Sequence, residues 1–261
     1  MTEAEALAAV RTGRFERIAL FADVHGNPWA LRAAVAQAER LGTDAHFYLG
    51  CLTWGPHPRE VVEIATAAPM PTFLLRGNGD RAAWEIATGR RSADRPVHQW
   101  IVDAHGPHVI AQIGTWPSAL TVDVAGHGPV RLCHGSPRSD IELLTPQTPE
   151  QRVLDACRGV DEHTVVHGHT HLQYQRPCAG RHIVGCGSVG LPYTEDVGFA
   201  YWTLIDSSGI HPQQTPYDLS SAVAAVRGSD YPDAERFATS LLTPPTPADI
   251  IADAEAREFS D

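Results

Sequence analysis

Five polar clusters, each set directly behind a short apolar run, constrain this 261-residue chain more than any other feature. They are Asp23-Val24-His25-Gly26-Asn27 after residues 17–22, Gly50-Cys51-Leu52-Thr53-Trp54-Gly55-Pro56 after 45–49, Gly77-Asn78-Gly79-Asp80 after 72–75, His134-Gly135-Ser136-Pro137 after 130–133, and His167-Gly168-His169-Thr170-His171 after 164–166. Apolar runs of this length, bounded by turn residues, read as buried strands, and helical apolar spacing follows at 29–41 and 58–67. Pro28 stands where a first helical turn tolerates it, and Gly42 closes the same helix. Strand, polar loop and helix in alternation predict a parallel sheet whose loops gather at the C-terminal strand ends.

The later segments extend the pattern. Residues 81–114 read as helical with an interruption at 90–96, and 119–124 and 130–133 read as a strand pair joined through Gly126-His127-Gly128. A helix is expected at 150–157 and strands at 182–184 and 199–205. The tail, 219–258, carries two or three amphipathic helices around the Pro-rich stretch 243–247. No repeat or composition shift marks a boundary. The expectation is a single domain over 1–261, with its core at about 17–205 and a C-terminal helical extension at about 216–258.

Composition excludes several classes of function. With 31 acidic and 20 basic residues the net charge is −11, so no broad cationic face for duplex nucleic acid or an acidic membrane is expected. No apolar run reaches the roughly 18 residues that suggest a membrane span. Residues 1–13 lack the basic start and apolar stretch of a secretory signal, so a cytoplasmic protein is expected. Every basic residue is Arg, and without Lys neither Schiff-base chemistry nor a lysine acid is available. Five cysteines, at 51, 133, 157, 178 and 186, form no CxxC pair, and their odd number argues against a disulfide framework. Four of them read as small buried apolar residues, with Cys51 set apart by its place in a polar cluster. Residues 185–190 match GxGxxG, but Leu191-Pro192 follows where a dinucleotide fold needs a helix.

The clusters supply carboxylate, imidazole and amide donors at several strand ends, the donor types that hold divalent cations close together. Asp23 and His25 are two residues apart, as are His167 and His169, so on a strand each pair would share a face and could grip one ion.

The ordered set DxH, GCxx…GP, GNGD, HGSPRSD and HGHTH resembles the calcineurin-like metallophosphoesterases, in particular their small bacterial branch, from about residue 17 to 205. The resemblance implies an α/β four-layer sandwich, two mixed β-sheets packed face to face and flanked by helices. It further implies a metal-dependent phosphodiesterase or phosphatase using a metal-activated hydroxide at a dinuclear site. By that likeness Asp23, His25 and His169 hold the first metal, Asn78, His134 and His167 the second, and the bridging carboxylate aligns with Cys51. Asn78, His134 and His171 would serve catalysis, and Asn27, Asn78, Arg138 and His171 would contact substrate. The implied cofactors are two divalent or transition ions (Fe, Mn or Zn), with no organic cofactor. The implied partner is a small phosphorylated molecule, with a homo-oligomer left open.

Two departures from the family pattern bear on activity. A thiolate at Cys51 carries the same charge as a carboxylate and can bridge two ions, but it is one bond shorter and favours Zn or Fe. The alternatives are an inert buried thiol beside a one-metal site, or a substitution that impairs the enzyme. Gly79 stands where some family members carry a proton-donating His, which favours leaving groups of low pKa; His57, His171 and Arg138 are the candidate substitutes. The competing functional readings are a catalytically impaired metal-binding or regulatory protein on the same fold, or a redirected activity that uses Cys51 as a thiolate ligand.

Overall fold

The computed structural model describes residues 10–257. The N-terminal nine residues, with most of the segment read as lacking a signal, lie outside it, as does the expected last residue of the tail helices, Glu258.

The apolar runs become strands because both of their faces find apolar partners. In β2 (Arg17–Phe21), Ile18 and Leu20 enter one core while Ala19 and Phe21 enter another, all fully buried. In β3 (Ala45–Tyr48) the same alternation sends Ala45 and Phe47 to the first core and Tyr48 to the second. Strands buried on both sides read as continuous apolar stretches, and each fully buried Leu, Ile or Phe contributes on the order of 1.5–3 kcal/mol.

Two mixed sheets result. One has the order β11-β10-β2-β3-β4, with β2, β3 and β4 (Thr72–Leu74) parallel and β10 (Phe199–Asp206) and β11 (Gly209–Pro216) antiparallel. The other has the order β1-β5-β6-β7-β9-β8, built from β1 (Val10–Phe15), β5 (Ala119–Val124), β6 (Gly128–Cys133), β7 (Thr164–His167), β8 (Gln173–Cys178) and β9 (Arg181–Cys186). Leu120, Val122, Leu132, Val166 and Val184 meet Ile18, Leu20 and Phe47 between the sheets. Helices α1 (Pro28–Arg40), α2 (Pro58–Thr66), α3 (Asn78–Ala87) and α4 (Pro96–Ile113) cover the outer face of the five-stranded sheet through Leu31, Val61, Ala83 and Ile101. Helix α5 (Glu150–Ala156) covers the six-stranded sheet through Val153. The architecture is therefore the expected four-layer α/β sandwich.

Three strands went unread in the sequence: β1, β8 and β11. All three lie at sheet edges, where one side of the ladder and much of one face meet solvent, so no strong apolar alternation is required. Pro177 in β8 and Pro212 in β11 are tolerated for the same reason.

The tail forms α6 (Leu219–Arg227), α7 (Ala234–Leu242) and α8 (Pro247–Ala256). Val223, Val226, Phe237 and Leu241 pack with Val97 at the start of α4. Glu255 of α8 accepts hydrogen bonds from Thr145, Thr148 and Arg152 at 2.6, 2.7 and 3.1 Å, fixing α8 beside the loop after β6. Among the described residues, no helix is long and apolar enough to cross a membrane.

Candidate metal centre

Backbone pairing continues past the ends of β2 and β3 and welds their loops into one floor. Asp23 N donates to Gly50 O (3.1 Å), His25 N to Cys51 O (2.9 Å) and Gly26 N to Leu52 O (3.1 Å), while Gly168 N donates to His134 O across the other sheet (2.8 Å). At Gly50, φ is +95° and a Cβ would meet Gly77 at 2.6 Å and His134 Nδ1 at 2.7 Å, so only glycine lets these three loops approach. Asp23, His25, Cys51, His169 and His171 all adopt positive φ, between 49° and 64°. Apart from Ala179, they are the only non-glycine residues described that do so. Each such conformation costs on the order of 1 kcal/mol or more, and strain of this kind concentrates at functional sites because the surroundings impose it.

The side chains converge on Asp23, which is fully buried. Its Oδ2 accepts from His169 N at 2.7 Å. Its Oδ1 has no hydrogen-bond partner among the described residues, yet it lies 3.3 Å from His171 Nε2, 3.6 Å from His25 Nε2 and 3.9 Å from His134 Nε2. The tautomers of these rings follow from their other nitrogens. His25 Nδ1 donates to Trp54 O (2.9 Å), His171 Nδ1 to Leu191 O (2.6 Å) and His134 Nδ1 to Leu49 O (2.8 Å). A carbonyl can only accept, so in each neutral ring the Nε2 lone pair is bare and turned to the centre. His25 Nε2 and His171 Nε2 stand 3.2 Å apart, lone pair to lone pair. Such an arrangement suits a cation between the donors. Burial would push the Asp23 carboxyl up, but His171 and His134 outweigh it and hold the group well below the ordinary carboxylate range.

Cys51 belongs to two groups of donors at once. Its Sγ joins Asp23 and His25 in a set whose ligand atoms all lie within 4.8 Å of one another. The same Sγ is 3.2 Å from Asn78 Oδ1 and 3.2 Å from His134 Nε2, and those two atoms are 2.8 Å apart. Burial, then Asp80 and Asp23, pushes the Cys51 thiol well above its ordinary value. A bound cation reverses that balance, because a coordinating thiol is deprotonated.

The remaining candidates occupy varied positions. His169 lines the cleft, but its Nε2 is 3.2 Å from Ile141 O, and burial drives its pKa down to about 3. His167 does not line the cleft: its Nε2 meets Tyr174 Oη at 2.8 Å and its Nδ1 lies 2.9 Å from Gly168 O, with burial lowering it to about 4. Asn27 is 2% exposed, caps α1 by accepting from Ala30 N at 3.2 Å, and donates to Gly190 O. Arg138 is clamped by Glu142 at 2.6 and 2.9 Å, and His57 packs on Trp29; neither lines the cleft. Asp80 ties the loops by accepting from Thr53 N, Thr53 Oγ1 and Gly77 N.

The donors open onto a cleft of about 440 Å³ whose walls include Trp54, Arg81, Arg91, Arg95, His98 and Tyr193. Tyr193 stacks on His171, ring centres 4.5 Å apart, and both also line a neighbouring pocket of about 200 Å³ closed by Pro247 and Ile251 of α8. The sequence reading did not single out these wall residues; the run Arg90-Arg91 and Arg95 between two helices was the available signal.

Position 79 is closed by Trp54. A Cβ there would lie 2.9 Å from Trp54 Cβ and 3.2 Å from Cys51 Sγ. Gly79→His is therefore expected to destabilise the protein by about 1–3 kcal/mol through overpacking, despite a better helix former in α3. Urea unfolding measures this, and Gly79→His/Trp54→Gly, which removes the obstructing Cβ, should fall short of additivity, with a coupling of about 0.5 kcal/mol or more between the two sites. Additive losses would show that Trp54 is not the obstacle.

The sequence profile of the calcineurin-like phosphoesterase superfamily domain matches residues 17–207. None of the curated proteins matches the chain. Among solved structures, a hypothetical protein from Pyrococcus horikoshii superposes with a TM-score of 0.76 at 19% identity, over 88% of this chain and 99% of that one. A metallophosphoesterase from Sphaerobacter thermophilus superposes with a TM-score of 0.69 at 24% identity, over 87% and 99%. These likenesses agree with the four-layer fold, and the profile covers most of the chain, including every donor that surrounds Asp23. The chain belongs to the calcineurin-like phosphoesterase superfamily, whose members are metal-dependent phosphoester hydrolases as a class.

Proposed function

We propose that this chain is itself a phosphoester hydrolase working at a two-ion centre, with Cys51 as the bridging ligand. The observation that carries the reading is the set of bare imidazole nitrogens turned toward the partnerless Oδ1 of Asp23. Asp23, His25 and Cys51 would hold one ion, with His169 and His171 beside it, and Cys51, Asn78 and His134 would hold the other. Mixed N, O and S donors suit Zn or Fe better than Mg or Mn. Bound ions of this kind supply charge stabilisation for the phosphoryl group and activation of water at neutral pH.

The chain's own residues prepare the site. The carbonyls of Leu49, Trp54 and Leu191 hold three rings in the tautomer that leaves Nε2 free to coordinate. His171 is held against Tyr193, and Asn78, which lines the cleft, would hold an ion through Oδ1 and could offer its amide nitrogen to a phosphoryl oxygen. With Trp54 filling the space beside Gly79, no proton donor stands at that position, so diesters and aryl esters with good leaving groups are the favoured substrates.

Purified protein should retain transition metal and cleave bis-p-nitrophenyl phosphate when supplied with Mn, Fe or Zn. His134→Ala and His169→Ala should each lose about 10²-fold or more in rate, the scale of losing a ligand or its support. Equal rates in parent and variants would reject the assigned centre. The second reading, a metal-binding protein that has lost catalysis, is favoured by Cys51 and the closed position 79, and the same assay separates the two.

A further inference from the structure

The cleft above Asp23 is lopsided in charge. In a chain of net charge −11, Asp23 is the one acidic side chain lining the cleft, against Arg81, Arg91 and Arg95. The carboxylates that hold these arginines lie outside the lining. Asp140 grips Arg81 through two bonds of 2.6 and 3.0 Å, Glu85 adds a third at 3.0 Å, and Asp233 on the far side holds Arg95 at 2.7 Å. Arg91 is exposed and forms no ion pair among the described residues.

The same wall carries a second observation. His98 lines the cleft, is only 8% exposed, and has an Nδ1 with no hydrogen-bond partner among the described residues. It sits in the first turn of α4, where Arg95 at the N-cap makes no side-chain cap and no acidic residue balances the helix end. This helix start presents the positive end of the helix dipole, although Pro96 has no N–H and the His98 N–H is donated to Arg95 O at 2.9 Å. The donors around Asp23 account for one phosphoryl group, whereas the wall is a separate set of cationic and N–H groups of the kind that recognises phosphate through two-pronged arginine contacts.

We propose that this wall, formed by Arg91, Arg95, His98 and the start of α4, binds a second, non-reacting phosphate, so that the substrate is a phosphoester carrying another phosphate group. The proposal rests on the phosphoesterase reading for the reacting group, while the wall itself is testable without metal. Methylphosphonate is titrated calorimetrically into metal-stripped, dialysed protein. Binding that weakens about tenfold or more in Arg91→Gln/Arg95→Gln, the scale of one or two charged hydrogen bonds, is the expected result. Equal affinity of parent and variant, or no binding by the parent, overturns the proposal. In metal-loaded enzyme, the ratio of kcat/KM for the diester thymidine 3′-phosphate 5′-(p-nitrophenyl phosphate) to that for thymidine 5′-(p-nitrophenyl phosphate), which lacks the second phosphate, should fall about tenfold or more in the double variant. A ratio within about twofold of the parent's, a difference too small for a lost charged contact, also overturns it. If the parent cleaves neither compound, the hydrolase reading fails, and the metal-free titration still decides the wall.

Discussion

Asp23→Asn should lower phosphoester turnover by about 10³-fold or more, close to 4 kcal/mol of transition-state stabilisation, and should also make the metal-free protein less stable at neutral pH. The two losses have one origin. Oδ1 of Asp23 is enclosed by three imidazole nitrogens at 3.3, 3.6 and 3.9 Å and has no hydrogen bond. His171 and His134 hold the carboxyl well below its ordinary range, so the charged form contributes stability that is present above the ordinary carboxylate range and is lost as pH falls through the lowered folded-state value. An amide at the same position keeps the oxygen that accepts from His169 N but gives up that charge, and with it an anionic ligand for a cation. Thermal unfolding with and without metal, together with bound-metal content, measures both arms. Retained turnover would remove Asp23 from the centre, and unchanged metal-free stability would show that the histidines do not favour its charged form.

The lodging of polar groups at buried strand ends also explains what could be read from the sequence. The unit from β2 to β4 was legible because β2 and β3 are buried on both faces and its helices open at Pro28 and Pro58, so local pattern and tertiary role coincide. The donor residues were legible because they are polar groups lodged where apolar runs end. The fate of His167 was not: its Nε2 faces Tyr174, whose hydroxyl is also anchored to Leu144 O at 2.9 Å, and that contact joins an edge strand to a loop far away in the chain. The closing of position 79 depends likewise on Trp54, which leaves no mark in the sequence around Gly79. The arginine wall depends on carboxylates at 140 and 233, and no spacing rule links those positions to 81 and 95. Edge strands β1, β8 and β11 were hidden because their environment asks little of their side chains.

Cys51→Asp should change which metal supports turnover. The rate with Mn relative to that with Zn is expected to rise by about tenfold or more, the scale on which altering a metal's ligand environment acts. Cys51 Sγ stands 3.2 Å from both Asn78 Oδ1 and His134 Nε2 and also belongs to the Asp23–His25 set, so a change of donor here is felt on both sides of the centre. Burial and the nearby Asp80 and Asp23 push the thiol's pKa up, so the thiolate exists only when a cation offsets them, and a soft cation does so best. A carboxylate is a harder donor and reaches one bond further. It finds room because its neighbours are Gly77 and Gly79, whose absent Cβ atoms would lie 2.9 and 3.2 Å from Sγ. Cys51→Ser separates donor type from shape, since serine keeps the geometry but is not deprotonated as readily; it should lose Zn retention without gaining Mn-supported rate. A raised Mn:Zn ratio with a lower maximal rate marks a thiolate selected for its metal, whereas a raised ratio with a higher maximal rate marks an enzyme weakened by losing its aspartate. An unchanged ratio would mean that sulfur never touches the ions, and the two groups of donors would then share no ligand at position 51.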